Sequence, residues 1–149
     1  MVSISKIKRT NRIYIDANVL INYCTGQPND CSELKWLFSS KCDDMLYTSN
    51  LAIVQTIAKL QTANKYRKAL LRTDIEKFIN YFYSHITVCE VSNNIIKQAM
   101  NLIDGDDLED NIHYLASQSV NCNIILTNNK KDFLPFNINI RTPRRLKYA

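Results

Sequence analysis

The chain has 149 residues, 46% of them hydrophobic, with 2 glycines, 3 prolines and a formal net charge of +5. That length suits one compact domain over 1–149 with a real core, and the composition excludes collagen-like repeats, broad disorder and long linkers. No apolar run reaches the length of a membrane span, and Met1–Arg9 lacks the apolar block of a signal peptide, so the chain reads as cytoplasmic.

The first eleven residues form a basic extension carrying Lys6, Lys8 and Arg9. Arg12 opens an apolar run, Ile13-Tyr14-Ile15, that reads as a short buried strand and stops at Asp16. Ala17, Asn18 and the aliphatics from Val19 to Tyr23 start a helix. Ser32–Lys41, with Leu34, Leu37 and Phe38 at helical spacing, reads as the next helix, and Met45–Thr48 as a second strand. Ser49 or Asn50 caps a helix whose apolar face includes Ile53, Ile57 and Leu60.

Lys65–Arg72 continues helical, and Thr73-Asp74-Ile75-Glu76 has the capping-box spacing for a helix bearing Phe78, Ile79, Phe82 and Tyr83. Ile86–Val91 reads as a strand, and Ser92 caps a helix with Ile95, Ile96, Ala99 and Leu102. Asp107 caps a helix over Leu108–Val120. Ile124–Thr127 is a strand, Lys130–Phe133 a single turn, and Ile138–Arg141 a short last strand. Pro143 suits the first turn of a terminal helix. Alternating strands and helices imply an α/β fold with three layers, α/β/α, and a mostly parallel central sheet.

In such sheets ligands bind beyond the carboxyl ends of the strands. Asp16, the acids Asp107, Glu109 and Asp110, and Asp132 all fall at breaks between elements, which suggests a pocket of carboxylates assembled from distant segments. Each also has a structural role open to it. Asp16 can cap the helix that follows, Asp107 and Asp110 both complement a helix N-terminus, and Asp132 can sit on the surface. Asn128 and Asn129 suit a turn.

Gathered carboxylates repel one another and raise at least one pKa, a penalty that a divalent cation removes. Oxygen donors of this kind suit Mg²⁺ or Mn²⁺, which activates water for in-line attack on phosphorus, the pattern of a metal-dependent nuclease. His85 and His113 match neither triad nor metal spacing, and His113 reads as a packed or exposed residue. Cys24, Cys31, Cys42, Cys89 and Cys122 form no C-x-x-C pair and read as core-filling thiols. The basic residues Lys6, Lys8, Arg9 and Arg12 before the first strand, and Arg141, Arg144, Arg145 and Lys147 at the C-terminus, suit a polyanionic partner or, equally, solvated termini.

Three segments resemble the PIN domain, the ribonuclease fold of VapC-type toxins. They are Ile15-Asp16-Ala17-Asn18-Val19-Leu20, Asp107–Ala116, and Ile125-Leu126-Thr127-Asn128-Asn129-Lys130-Lys131-Asp132-Phe133. Their order and spacing match the family from about Arg12 to Leu146.

The resemblance implies a Mg²⁺- or Mn²⁺-dependent endoribonuclease, the toxin of a toxin–antitoxin pair, with metal ligands Asp16 and Asp110 assisted by Asp107 and Asp132. Asn18, Thr127, Asn129 and Gln55 would support them, and Lys130, Lys131, Arg144 and Arg145 would bind RNA. A cognate antitoxin and a homodimer are the implied partners, with Phe78, Phe82 and Tyr83 offering either a docking face or core. One departure stands out. The family places a glutamate in the helix after the second strand, where this chain has Gln55. A degenerate PIN domain that binds RNA or protein without cutting is therefore the main alternative. A phospho-accepting signalling domain ranks well below, because position 17 is alanine and Val88–Val91 supplies no acceptor aspartate.

Overall fold

The computed structural model describes residues 10–67, 72–102, 105 and 107–146. The basic residues Lys6, Lys8, Arg9 and Lys147 lie outside them. Five parallel strands form one sheet in the order β3-β2-β1-β4-β5. They are β1 (Arg12–Ile15), β2 (Met45–Ser49), β3 (Thr87–Cys89), β4 (Ile124–Leu126) and β5 (Asn139–Arg141). The chain runs outward from β1 through β2 to β3, then returns to place β4 on the other side of β1. The crevice beyond the carboxyl ends of β1 and β4 is thus the topological switch point of the sheet. The order also differs from the 2-1-3-4-5 winding of receiver-type signalling domains, so that alternative falls.

The sheet is all-parallel, as its βαβ crossovers require. Helices α1 (Ala17–Cys24) and α2 (Pro28–Leu37) link β1 to β2, and α3 (Asn50–Arg67) and α4 (Arg72–His85) link β2 to β3. Helices α5 (Asn93–Met100) and α6 (Leu108–Ser119) lead to β4, and the single turn α7 (Lys130–Phe133) leads to β5.

Successive strand side chains point to opposite faces, so β1 feeds two cores. Ile13 and Ile15 join Leu20, Leu34, Ile53, Ile79 and Phe82 on one side of the sheet. Tyr14 joins Ala116, Ile125, Phe133 and Phe136 on the other. Covered on both faces, β1 has no solvent-facing residue after Arg12, which explains its unbroken apolar run. Among the described residues, no helix is long and apolar enough to cross a membrane.

The expected caps at Ser49, Ser92 and Asp107 are present, accepting the N–H groups of Ala52, Ile95 and Asp110. Other boundaries differ. Helix α2 starts at Pro28, four residues before the expected Ser32, because Pro28 occupies the first helical turn where its fixed φ is favourable. Its polar first turn carries no apolar spacing and so gave no helical signal. Helix α3 is described as far as Arg67, and the expected helical stretch over 68–71 lies outside the described residues; α4 already includes Arg72, so Thr73 lies inside the helix rather than capping it. Among the described residues no helix follows Pro143: residues 142–146 form neither helix nor strand, and Leu146 N–H donates to Ser32 Oγ of α2 at 2.7 Å. Of the aromatic stripe on α4, Phe82 is core, Phe78 is half-buried and Tyr83 is 55% exposed.

Candidate active site

Asp16 follows β1 directly, and its side chain is held on both oxygens. Oδ1 accepts the Ala17 N–H at 2.7 Å, the cap of α1. Oδ2 accepts the Thr127 hydroxyl at 2.7 Å and Asn18 Nδ2 at 2.9 Å. Capping and site formation are therefore one arrangement. Thr127, immediately after β4, also accepts from Asn18 Nδ2 at 3.2 Å and from the Asn129 N–H at 3.0 Å. These contacts join the ends of β1 and β4 through side chains more than a hundred residues apart in sequence.

Beyond Asp16 opens a cleft of about 500 Å³ walled by α1, α3, α6 and α7. Asp16, Asn18, Gln55, Asp110, Asn129 and Asp132 all line it, so six of the residues singled out in the sequence meet in one place. Glu109, already grouped with the acids that open α6, lines it too, as does Lys59, which was not singled out. Lys59 lies one helical turn after Gln55 on α3, a spacing that could have drawn attention to it.

The acids crowd Asp110 in particular. Burial raises its carboxyl from 3.8 to about 7, helped by the charges of Asp132, Asp107, Asp16 and Glu109. Asp107 contributes through its charge alone: its Oδ1 accepts the Asp110 N–H at 3.0 Å, and it stands outside the cleft lining. Lys130, Lys131 and Arg145 are exposed, and the lysines sit on α7 beside Asp132. Arg144 turns back toward Glu33, with Nε 3.5 Å from Oε1.

His113, expected to pack or lie exposed, does pack, at 2% exposure, but it also lines the cleft. Nε2 is 2.8 Å from Gln55 Oε1 and 3.8 Å from Asp16 Oδ1. Nδ1 is 2.7 Å from the Tyr14 hydroxyl, which in turn reaches Ser49 Oγ at 2.7 Å. Burial lowers the His113 pKa, and Asp16 only partly opposes it. A neutral ring satisfies every partner if Tyr14 donates to Nδ1 and Nε2–H donates to Gln55, with Ser49 donating to Tyr14. Burial holds Tyr14 well above its usual pKa, so its proton is retained.

Access to α6 depends on Gly105. A Cβ there would run into Asn111 Oδ1 and the Phe136 ring. Asn111 Nδ2 donates to the carbonyls of Ala99 at 3.0 Å and Gly105 at 3.3 Å, tying the approach to Asp107 against α5. The five cysteines are free. Burial pushes Cys24 and Cys122 up to about 12, leaving no thiolate nucleophile there at neutral pH.

Carboxylates thus gather at the switch point of a five-stranded parallel sheet ordered 3-2-1-4-5, with α6 beginning at the site. The PIN domain model matches residues 13–134, and the chain belongs to the PIN domain family. Ribonuclease VapC1 of Aquifex aeolicus (strain VF5) is 25% identical over 134 residues, 85% of this chain and 87% of its own. A toxin–antitoxin complex from Klebsiella pneumoniae has a chain superposing with a TM-score of 0.61 at 16% identity, covering 90% of this chain and 99% of that one. VapC20 of Mycobacterium tuberculosis, a sarcin–ricin loop cleaving toxin, gives 0.57 at 18% identity, covering 76% and 86%. VapBC2 from Rickettsia felis, bound to a DNA fragment from its promoter, gives 0.60 at 15% identity, covering 88% and 98%.

Proposed function

We propose that this chain is a divalent-metal-dependent endoribonuclease, the toxin of a toxin–antitoxin pair, hydrolysing RNA phosphodiester bonds in the cleft beyond Asp16. The observation that carries this reading is the convergence of Asp16, Asp110, Glu109 and Asp132 on one cleft at the switch point. Such a collection of like charges is costly unless a cation offsets it, and these charges add to burial in raising the Asp110 carboxyl.

The donor set fits Mg²⁺ or Mn²⁺. Among the described residues, no three His, Cys, Asp or Glu side chains are grouped as a complete metal cage. A hard cation that keeps several waters beside one or two carboxylates needs no such cage. Asp16 and Asp110 would hold it, with Asp132 and Glu109 adding negative potential. When bound, the cation would make water a better nucleophile and offset charge developing on the phosphoryl oxygens.

The chain's own residues supply the rest. Asn18 and Thr127 immobilise the Asp16 carboxylate, leaving it little freedom to rotate. Asp110, its carboxyl raised to about 7 chiefly by burial, would have to be deprotonated to hold the cation. Lys59 on the wall of the cleft, with Lys130, Lys131 and Arg145 outside it, takes up RNA phosphates. Arg144 shares its charge with Glu33 and contributes less.

By analogy with a relative solved as a toxin–antitoxin complex, the partner is an antitoxin; the family resemblance further implies that it covers the cleft and that two copies of the chain pair. Gln55 supports a second reading, a degenerate PIN domain that binds RNA or protein without cutting. Its amide replaces the family's carboxylate and is occupied by His113. The two readings separate on Mn²⁺ titration. A competent site raises the melting temperature at saturating Mn²⁺ and cleaves RNA. Absence of both favours the binder.

A further inference from the structure

Helix α2 turns two carboxylates into the protein, Asp30 at 3% and Glu33 at 0% exposure. Glu33 faces arginines. Asp30 instead reaches the turn after β4, where its Oδ2 accepts Asn128 Nδ2 at 2.8 Å. Asn128 then presents two donors to Asn18 Oδ1, its backbone N–H at 3.0 Å and Nδ2 at 3.3 Å. With that oxygen occupied, Asn18 Nδ2 faces Asp16 Oδ2 at 2.9 Å and Thr127 Oγ1 at 3.2 Å.

The two ends of an asparagine amide are nearly alike in shape, so hydrogen-bond partners decide which way each points. An ionised carboxylate only accepts. Asp30 therefore requires the NH₂ end of Asn128, and that NH₂ requires the oxygen end of Asn18. Asn18 is left with its NH₂ directed at Asp16. Three hydrogen bonds thus connect a buried acid that does not line the cleft to the carboxylate at its base.

An acid in the first turn of α2 also complements the helix N-terminus. That role is available to an exposed side chain and does not explain burial against a partner 98 residues away. We propose that Asp30 is a positioning residue for Asp16, acting through Asn128 and Asn18 to hold the Asp16 carboxylate in one orientation for a cation. This rests on the metal-dependent reading of the cleft.

The test uses the full-length chain labelled with ¹⁵N, as the parent, Asp30→Asn, Asn128→Ala and the exchange Asp30→Asn with Asn128→Asp. Three quantities are read: the Asn18 side-chain amide resonances without metal, Mn²⁺ affinity by calorimetry, and melting temperature. Asp30→Asn should shift the Asn18 amide resonances and weaken Mn²⁺ binding about tenfold. Asn128→Ala, at an exposed position, should do the same and guards against an Asp30 variant that fails to fold.

The exchange again pairs an amide with a carboxylate, so melting temperature should recover. Position 128 then has no side-chain donor for Asn18 Oδ1, so the Asn18 resonances and Mn²⁺ affinity should stay perturbed. Recovery of all three together, or unchanged Asn18 resonances in Asp30→Asn and Asn128→Ala, would overturn the proposal. A parent that binds no Mn²⁺ would overturn the metal reading instead, with the Asn18 resonances still deciding whether the relay exists.

Discussion

His113 and Gln55 meet across the cleft, Nε2 to Oε1 at 2.8 Å, where the resemblance to the family implies a glutamate in place of Gln55. The imidazole N–H satisfies the amide oxygen, so the replacement leaves no orphaned polar atom and removes one negative charge from the cleft.

Gln55→Glu restores that charge without changing the shape of the side chain. His113 Nε2–H still has an acceptor, and its bond becomes charge-assisted. An added unit charge in a half-buried cleft is worth on the order of 1–4 kcal/mol toward a nearby cation. The variant should bind Mn²⁺ at least roughly fivefold tighter by calorimetry. Equal affinity in both proteins would show that position 55 does not face the cation.

The Asp110 carboxyl, raised from 3.8 to about 7, makes the metal-free protein sensitive to pH. Between those values the folded state binds more protons than the unfolded state, so stability falls as pH rises. The stabilisation is complete below about 3.8 and is lost as pH passes through about 7. The melting temperature of the metal-free chain should therefore decline over that window, and the decline should flatten in Asp110→Asn. Parallel melting curves for the two proteins would place the titration elsewhere. With saturating Mn²⁺ the trend should weaken or reverse, because binding requires the deprotonated carboxylate.

Much of the cleft was legible from residue order, and what was not has a physical reason. Asp16, Asp110 and Asp132 stand at breaks between apolar runs, and those breaks mark the ends of elements. Asn18 and Thr127 belong to the same local motifs. The role of His113 depends on α6 packing beside α3, which no local spacing encodes. Asp30 and Glu33 sit in a helix that looks polar and surface-bound, and their burial arises only when β4 and β5 pack against it. The C-terminal segment went unread for the same reason, since contacts with α2 hold Leu146 and, among the described residues, no helix follows Pro143.

Glu33 is the most buried charge in that region. Arg141 Nε approaches its Oε1 at 2.9 Å and Arg144 Nε at 3.5 Å. The approach is ionic rather than a well-aligned hydrogen bond, since neither Glu33 oxygen has a hydrogen-bond partner among the described residues. Glu33→Gln leaves Arg141, only 22% exposed on its side chain, without a counter-charge. Removing one member of a buried pair costs about 3 kcal/mol. For a chain of this length that is a fall of roughly 6–12 °C in melting temperature. A change within a degree would show that solvent already screens the pair.

The central claim is that Asp16 anchors a metal-dependent ribonuclease site. The direct measurement is cleavage of a mixed RNA pool by the purified chain with Mg²⁺ or Mn²⁺, beside Asp16→Asn prepared identically and shown to be folded. The parent should cleave, chelation should stop it, and Asp16→Asn should lose at least about 100-fold in rate. Equal cleavage by both proteins, or none by a folded parent at saturating metal, would contradict the account.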